Sequence, residues 1–137
     1  MTTRIFLGNY KNLADISDFI VGEAENVGFS PSDVYAIQTA VDEACANIID
    51  HAYGAENIGE IEIKTKTISN GMRIIIKDDG TPFNPDDIPS PDITSPLEIR
   101  KERGLGVFFI RKLMDIAVFD FSQSKGNTLT LEKYKGS

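Results

Sequence analysis

An acid, an amide and the chain's only histidine recur at intervals of four in "DEACANIIDHAYG", as Glu43, Asn47 and His51. On a helix each residue turns about 100°, so the three lie within about 80° of one another. Val34, Ile37, Val41, Ala44, Cys45 and Ile48 fill the adjoining arc, which must be the core-facing side. A polar row bordering a buried face fits the wall of a pocket. The same spacing also fits ordinary helix-surface pairs, worth a few tenths of a kcal/mol each. Zinc chemistry is disfavoured, because a zinc site wants about four ligands and the chain has one Cys and one His. Cys45 sits about 200° from Glu43 on the wheel, the place of a small buried apolar group.

Two further stretches carry chemistry-bearing residues. "KDDGTPFNP" places Asp78 at what reads as a strand end, two residues before Gly80. The glycine lets the backbone turn tightly where a flat ligand edge can approach, and Asp78 can accept a hydrogen bond from an amino group there. Such a turn also occurs with no ligand at all. "RGLGVFF" sets Gly104 and Gly106 at the start of a helix, where backbone N–H groups and the positive dipole end suit an anion. Arg100, Lys101 and Arg103 precede that pair, and Arg111 and Lys112 follow it. No G-x-x-x-x-G-K-[ST] occurs, which excludes a P-loop. "GLGVFF" lacks the third glycine and the directly preceding strand of a dinucleotide fold.

These groups need elements to hold them. "TRIFLG" reads as a short strand, and "NLADISDFIVGEAENVG" as a helix with Leu13, Ile16, Phe19, Ile20 and Val27 near helical period, ending at Gly28. A second helix of about 20 residues opens at Ser30–Pro31 and closes at Gly54. "IGEIEIKTKTI" alternates as a half-buried strand, "SNG" turns the chain, and "MRIIIKDDG" returns it. Gly80 to Arg103 holds every proline except Pro31 and is too long for a casual connection, as functional lids are. A helix through "GLGVFFIRKLMD" and two strands, "IAVFDFSQ" and "NTLTLEKY", complete the order β-α-α-β-β-lid-α-β-β. Paired strands of this kind need helices covering one face of the sheet.

The 137 residues make one domain with a real core, 41% hydrophobic and 26% charged. No apolar run approaches the roughly 18 residues of a membrane span. The N-terminus lacks the plan of a signal peptide, and a lone cysteine suits a reducing cytoplasm. The net charge of −7 argues against a nucleic-acid surface. An acidic chain with one basic cluster is compatible with a small anionic ligand.

Taken in order, an E-x-x-x-N helix, D-x-G at a strand end, a long loop, G-x-G opening a helix and a strand pair around "GNT" resemble the nucleotide-binding fold of gyrase-type topoisomerases, histidine kinases, the ninety-kilodalton heat-shock chaperone and mismatch-repair ATPases, the GHKL superfamily. "AVDEACANIIDHAYG", "DDGTPFNP" and "RGLGVFFIRKLMD" are most similar to the bacterial anti-sigma factor serine/threonine kinases. The resemblance implies a Bergerat fold, a two-layer α+β sandwich with a mixed, mostly antiparallel sheet and helices on one face. It implies a single ATP-binding kinase domain over residues 1–137, with a lid over about 80–103. Glu43 then matches the general base and Asn47 the ligand of magnesium. Asp78 matches the carboxylate that bonds the adenine amino group, with Gly80 beside it. Arg103, Gly104, Leu105, Gly106 and Val107 match the phosphate-binding segment, and Thr128 a position near adenine. The family often has Thr directly after the glycine of that turn, whereas here Asn127 follows Gly126, so either Asn127 or Thr128 can serve. His51 matches a packing or supporting position.

The implied activity is ATP-dependent phosphorylation of a small anti-anti-sigma protein by a factor that also binds a sigma factor. ATP, ADP and magnesium are the implied ligands, and a homodimer in the cytoplasm the implied state. Nucleic acid and membrane are not expected as partners. The alternatives are a nucleotide-binding partner-switch module without kinase activity and an ATP hydrolase fragment.

Overall fold

The computed structural model describes residues 1–82, 105–122 and 126–136, without the side chains of Leu105, Gly106 and Ser122. Residues 83–103 of the expected lid, Arg103 among them, and Gly104 lie outside the described residues.

β1 (Thr2–Leu7) leads through a 3₁₀ turn (Tyr10–Asn12) into α1 (Leu13–Val27). Gly28 ends α1 at φ +99°, a left-handed conformation that glycine adopts without a side-chain clash. α2 (Pro31–Asn47) starts where Ser30 Oγ accepts the Asp33 N–H. β2 (Glu60–Ile68) and β3 (Gly71–Asp78) form a hairpin, with Asn70 at φ +62° in the turn. α3 (Leu105–Leu113), β4 (Ile116–Ser122) and β5 (Gly126–Tyr134) follow.

The sheet runs β1-β2-β3-β5-β4. Where a mixed, mostly antiparallel sheet is expected, every neighbouring pair among the described residues is antiparallel. α2 packs between α1 and α3. Ile61, Ile63, Ile74, Ile76 and Leu131 of the sheet are buried beneath Ile16 and Ile20 of α1, Ile37 and Val41 of α2 and Ile110 of α3. Strand alternation puts these sheet residues on one face and Glu62, Lys64, Arg73 and Glu132 on the other. Thr65 is buried with the core and donates from Oγ1 to Glu23 of α1, a polar tie between the layers.

One element departs from the expected course. The helix does not run uniformly from Ser30 to Gly54, because Ile48–Tyr53 is a π-helical turn continuing α2. A π turn bonds i to i+5 and so rotates the residues beyond it relative to an α-helical wheel. Glu43 and Asn47 lie within α2 and keep their common face, whereas His51 falls in the π turn and is exposed. The row of three expected on one helix face is therefore a row of two.

Candidate functional site

The site is built where β3 ends and β5 begins. Asp78 and Asn127 stand opposite each other in the ladder, on the helix side of the sheet. Both are buried, at 5% and 4% exposure. Asn127 Nδ2 donates to Asp78 Oδ1 at 2.8 Å and to the Gly80 carbonyl at 3.0 Å. The Gly80 N–H donates to the same Asp78 Oδ1 at 2.8 Å. Asp78 Oδ1 is thus held by two protein donors, while Oδ2 takes no hydrogen bond from the described residues. Burial raises the Asp78 carboxyl above the ordinary carboxylate range. The bonds from Asn127 and Gly80 oppose that rise, and neighbouring Asp79 adds to it.

Above these two residues lies a small cavity of about 20 Å³ that opens toward solvent. Its walls are apolar: Ala44 and Ile48 from α2 and its π turn, Ile76 from β3, and Phe119 and Leu129 from β4 and β5. Phe119 and Phe121 stack along β4 with ring centroids 6.1 Å apart and planes inclined by 22°. The polar lining includes Asp78, Asn127 and Asn47. An apolar slot with an aromatic wall and a few convergent polar groups suits a flat heteroaromatic ring, with Asp78 Oδ2 accepting from a ring amino group.

Asn47 lines this cavity from the last turn of α2, and its Nδ2 is buried without a partner. Glu43 lies one helical turn earlier and is half-buried. It is not part of the cavity lining, and on a helix such neighbours are about 5–6 Å apart at Cβ. The Glu43 carboxylate thus stands beside Asn47 on α2 and outside the cavity lining.

The π turn braces the strand end. A Cβ on Gly80 would lie 2.6 Å from the carbonyl carbon and oxygen of Ala52, so glycine is required by this packing. The Ala52 carbonyl accepts the Thr81 N–H at 2.7 Å. Tyr53 accepts the Asp79 N–H at its hydroxyl and donates to the Glu60 carbonyl. The expectation that Gly80 opens space for a ligand is thus refined: the room its missing side chain leaves is taken by Ala52. Gly126, at φ +81°, is equally constrained, since a Cβ there would sit 2.7 Å from the Asp78 carbonyl oxygen.

Thr128 contributes to the lining, but its ladder partner is Lys77, and alternation turns its side chain to the far face of the sheet. Asn127 is the one that reaches Asp78. Val107 is buried at 4% exposure and belongs to the inward side of α3 with Ile110, outside the cavity lining. Leu105 and Gly106 open α3, at its N-terminal end. Cys45 is fully buried and its thiol is pushed well up by that burial, as its wheel position implies. Phe119 and Phe121 were not singled out from the sequence, although their alternation in "IAVFDFSQ" puts both on one face.

The profile of the family described as "Histidine kinase-like ATPase domain" matches residues 7–133. The chain belongs to that ATPase family. Among the relatives of this chain, the serine-protein kinase RsbW of Bacillus cereus (strain AH820) is 34% identical over 119 residues, covering 84% of this chain and 72% of the relative. RsbW of Bacillus mycoides (strain KBAB4) matches at the same identity and coverage. The crystal structure of the RsbU and RsbW domains of Rv1364c from Mycobacterium tuberculosis superposes with a TM-score of 0.68 at 15% identity, covering 98% of this chain and 32% of that one. The catalytic domain of histidine kinase ThkA superposes with a TM-score of 0.55 at 16% identity, covering 98% and 97%. The shared architecture is the Bergerat fold of histidine kinase-like ATPases. No helix among the described residues is long and apolar enough to cross a membrane.

Proposed function

We propose that the protein is an ATP-dependent protein serine/threonine kinase that acts as an anti-sigma factor, with a small anti-anti-sigma protein as its phosphoryl acceptor. The observation carrying the nucleotide reading is Asp78 Oδ2, left without a partner among the described residues at the floor of an apolar, aromatic-walled cavity. A ring amino group there is recognised by a charge-assisted hydrogen bond. The acceptor class is supported by the 34% identity to serine-protein kinases.

In this reading the chain binds and orients. Asp78, Asn127 and the Phe119–Phe121 wall receive the base, and Asn47 faces the phosphate side. Glu43, one turn away, takes the proton from the attacking serine or threonine hydroxyl as its oxygen bonds to the terminal phosphorus and the bond to ADP breaks. Magnesium, when bound, offsets phosphate charge. No group of three or more His, Cys, Asp or Glu side chains among the described residues is placed to hold a metal. That donor set fits an ion taking one Asn oxygen and completing its shell from phosphate and water.

The face of the sheet away from the helices exposes Ile5 at the β1 edge and Ile116 and Val118 at the β4 edge, and a homodimer is part of the proposal. Incubation with magnesium-ATP and a candidate antagonist-domain protein tests the kinase. Phosphoserine or phosphothreonine on that partner is the expected result. Tight ATP binding with no phosphorylated partner would leave a partner switch without kinase activity. ATP turnover with no protein acceptor would point to a hydrolase.

A further inference from the structure

β1 is an edge strand, paired with β2 on one side and with no other strand among the described residues. Its free side keeps a row of backbone N–H and C=O groups available for pairing. Thr2, Arg4 and Phe6 stand opposite Thr65, Ile63 and Ile61 in the ladder, so they share the helix side of the sheet. Arg4 is exposed, and its guanidinium lies 4.9 Å from the ring centroid of Phe6 and 5.4 Å from that of Phe19 on α1. Two rings hold this cation in place, yet no carboxylate among the described residues comes within ion-pair distance of it. One helical turn beyond Phe19, Glu23 Oε1 accepts from the buried Thr65 hydroxyl at 2.7 Å, while its Oε2 takes no hydrogen bond from the described residues. There Thr2, Asn26, Thr65 and Thr67 join Glu23 around a polar cavity of about 110 Å³, with Met72 beneath.

We propose that the free edge of β1 docks an extended segment of a partner protein, with an acidic residue opposite Arg4 and a lysine two positions later opposite Thr2. The segment adds antiparallel, like every other pair in the sheet. Main-chain bonds to β1 supply affinity, and alternate side chains supply specificity. Arg4 receives the carboxylate, and because stacking already places the guanidinium, little side-chain freedom is lost on pairing. Residues two apart on a strand lie about 7 Å from each other on one face. The lysine therefore falls beside Thr2 and carries its ammonium into the cavity, where Glu23 Oε2 and the threonine hydroxyls accept its hydrogens. On the far face of β1, Ile5 and Leu7 are 56% and 44% exposed and offer apolar partners to the intervening residues. A second copy of β1 does not fit, since "TTRIFL" holds no carboxylate to meet Arg4. β2 separates this edge from the strand that carries Asp78, so the docking site is independent of the nucleotide reading.

The test is an NMR titration of the isotope-labelled full chain with a capped peptide, acetyl-Thr-Val-Val-Glu-Thr-Lys-Ser-amide, up to millimolar concentration. Progressive shifts centred on the amides of Thr2–Leu7 and on the cavity rim are expected. Arg4→Gln should weaken the peptide about tenfold, the scale of one charge-assisted hydrogen bond. Glu23→Gln should weaken it too, but not a peptide with alanine in place of the lysine. Arg4→Glu should reject the peptide and bind instead the version with its glutamate changed to lysine, an exchange that a merely structural role for Arg4 cannot produce. No shift at the β1 amides with millimolar peptide would overturn the proposal. Equal or tighter binding in Arg4→Gln would overturn it as well, making Arg4 a guard against edge pairing. Broadening of the β1 amides that grows with protein concentration alone would assign the edge to a second copy and overturn the occupant. ADP added to the same samples reads the nucleotide site separately, so failure here leaves that reading standing.

Discussion

Asp78→Asn separates what the carboxylate does for a ligand from what it does for the fold. The substitution preserves shape. The new amide oxygen stands where Oδ1 stood and still accepts the Gly80 N–H and Asn127 Nδ2, both at 2.8 Å in the native protein. The amide nitrogen then replaces Oδ2 and points N–H groups into the cavity. A ring amino group arriving there meets donors and no acceptor. The loss combines a charge-assisted hydrogen bond, about 1.5–3 kcal/mol, with the desolvation of donors left unpaired, about 1–3 kcal/mol. A total near 3–4 kcal/mol corresponds to a loss of a few hundred-fold in ADP affinity, read by calorimetry.

Stability should move the other way. Burial raises the Asp78 carboxyl above its ordinary value of 3.8, so the native state holds this proton to a higher pH than the unfolded chain does. Between the two values the native state carries more protons, and its stability falls as pH rises through that window and is level above it. The amide of the variant has no charge to desolvate. In urea titrations at pH 7 the ligand-free variant should be as stable as wild type or more so, without the fall in stability that Asp78 contributes at acidic pH. Unchanged ADP affinity, or a large loss of stability with affinity intact, would refute the assignment of Asp78 to the ligand.

Two further substitutions probe the rim and the brace. Glu43→Gln should leave ADP affinity within about twofold and slow phosphotransfer to a partner serine by on the order of 100-fold or more; full transfer activity would place the base elsewhere. Gly80→Ala forces a methyl against the Ala52 backbone, with contacts of 2.6 Å before relaxation. It should cost about 1–3 kcal/mol in urea unfolding, and because Gly80 also bonds Asp78 and Asn127, ADP affinity should drop with it. A variant with native stability would mean that the strand end shifts freely.

Much of this was legible in residue order. Alternation in "EIEIKTKTI" and the "SNG" turn fixed the hairpin, and the apolar arc from Val34 to Ile48 is buried as its period requires. Asp78 could be placed at a strand end for the same reason. The role of Asn127 was not readable, because it depends on a ladder register between strands far apart in sequence, and β5 enters the sheet between β3 and β4. One residue of register decides whether Asn127 or Thr128 faces Asp78. The aromatic wall was hidden likewise, since Phe119 and Phe121 reach the cavity only after that insertion. His51 misled for a local reason: the wheel assumes 3.6 residues per turn, and the chain abandons that pitch directly after Asn47.

That change of pitch bears on how the site is assembled. Asn47 must face the cavity, while the carbonyl of Ala52 and the ring of Tyr53 must meet the end of β3, and both demands fall on one continuous helix. Helix ends leave carbonyls unpaired, and here the Ala52 carbonyl is satisfied by Thr81 N–H, with the Tyr53 hydroxyl taking Asp79 N–H. Tyr53 also fills the space beside Gly59, where a Cβ would lie 2.4 Å from its ring. The π turn thereby locks the residues on either side of Gly80 to the helix that displays Glu43 and Asn47. Asp78 and Asn47 come from different layers, and this short brace ties those layers together. On the proposed nucleotide reading, the ring subsite and the phosphate-side amide are tied together before any ligand arrives. Loosening the brace should therefore weaken ADP and ATP by the same factor, whereas a change at Glu43 acts on transfer alone.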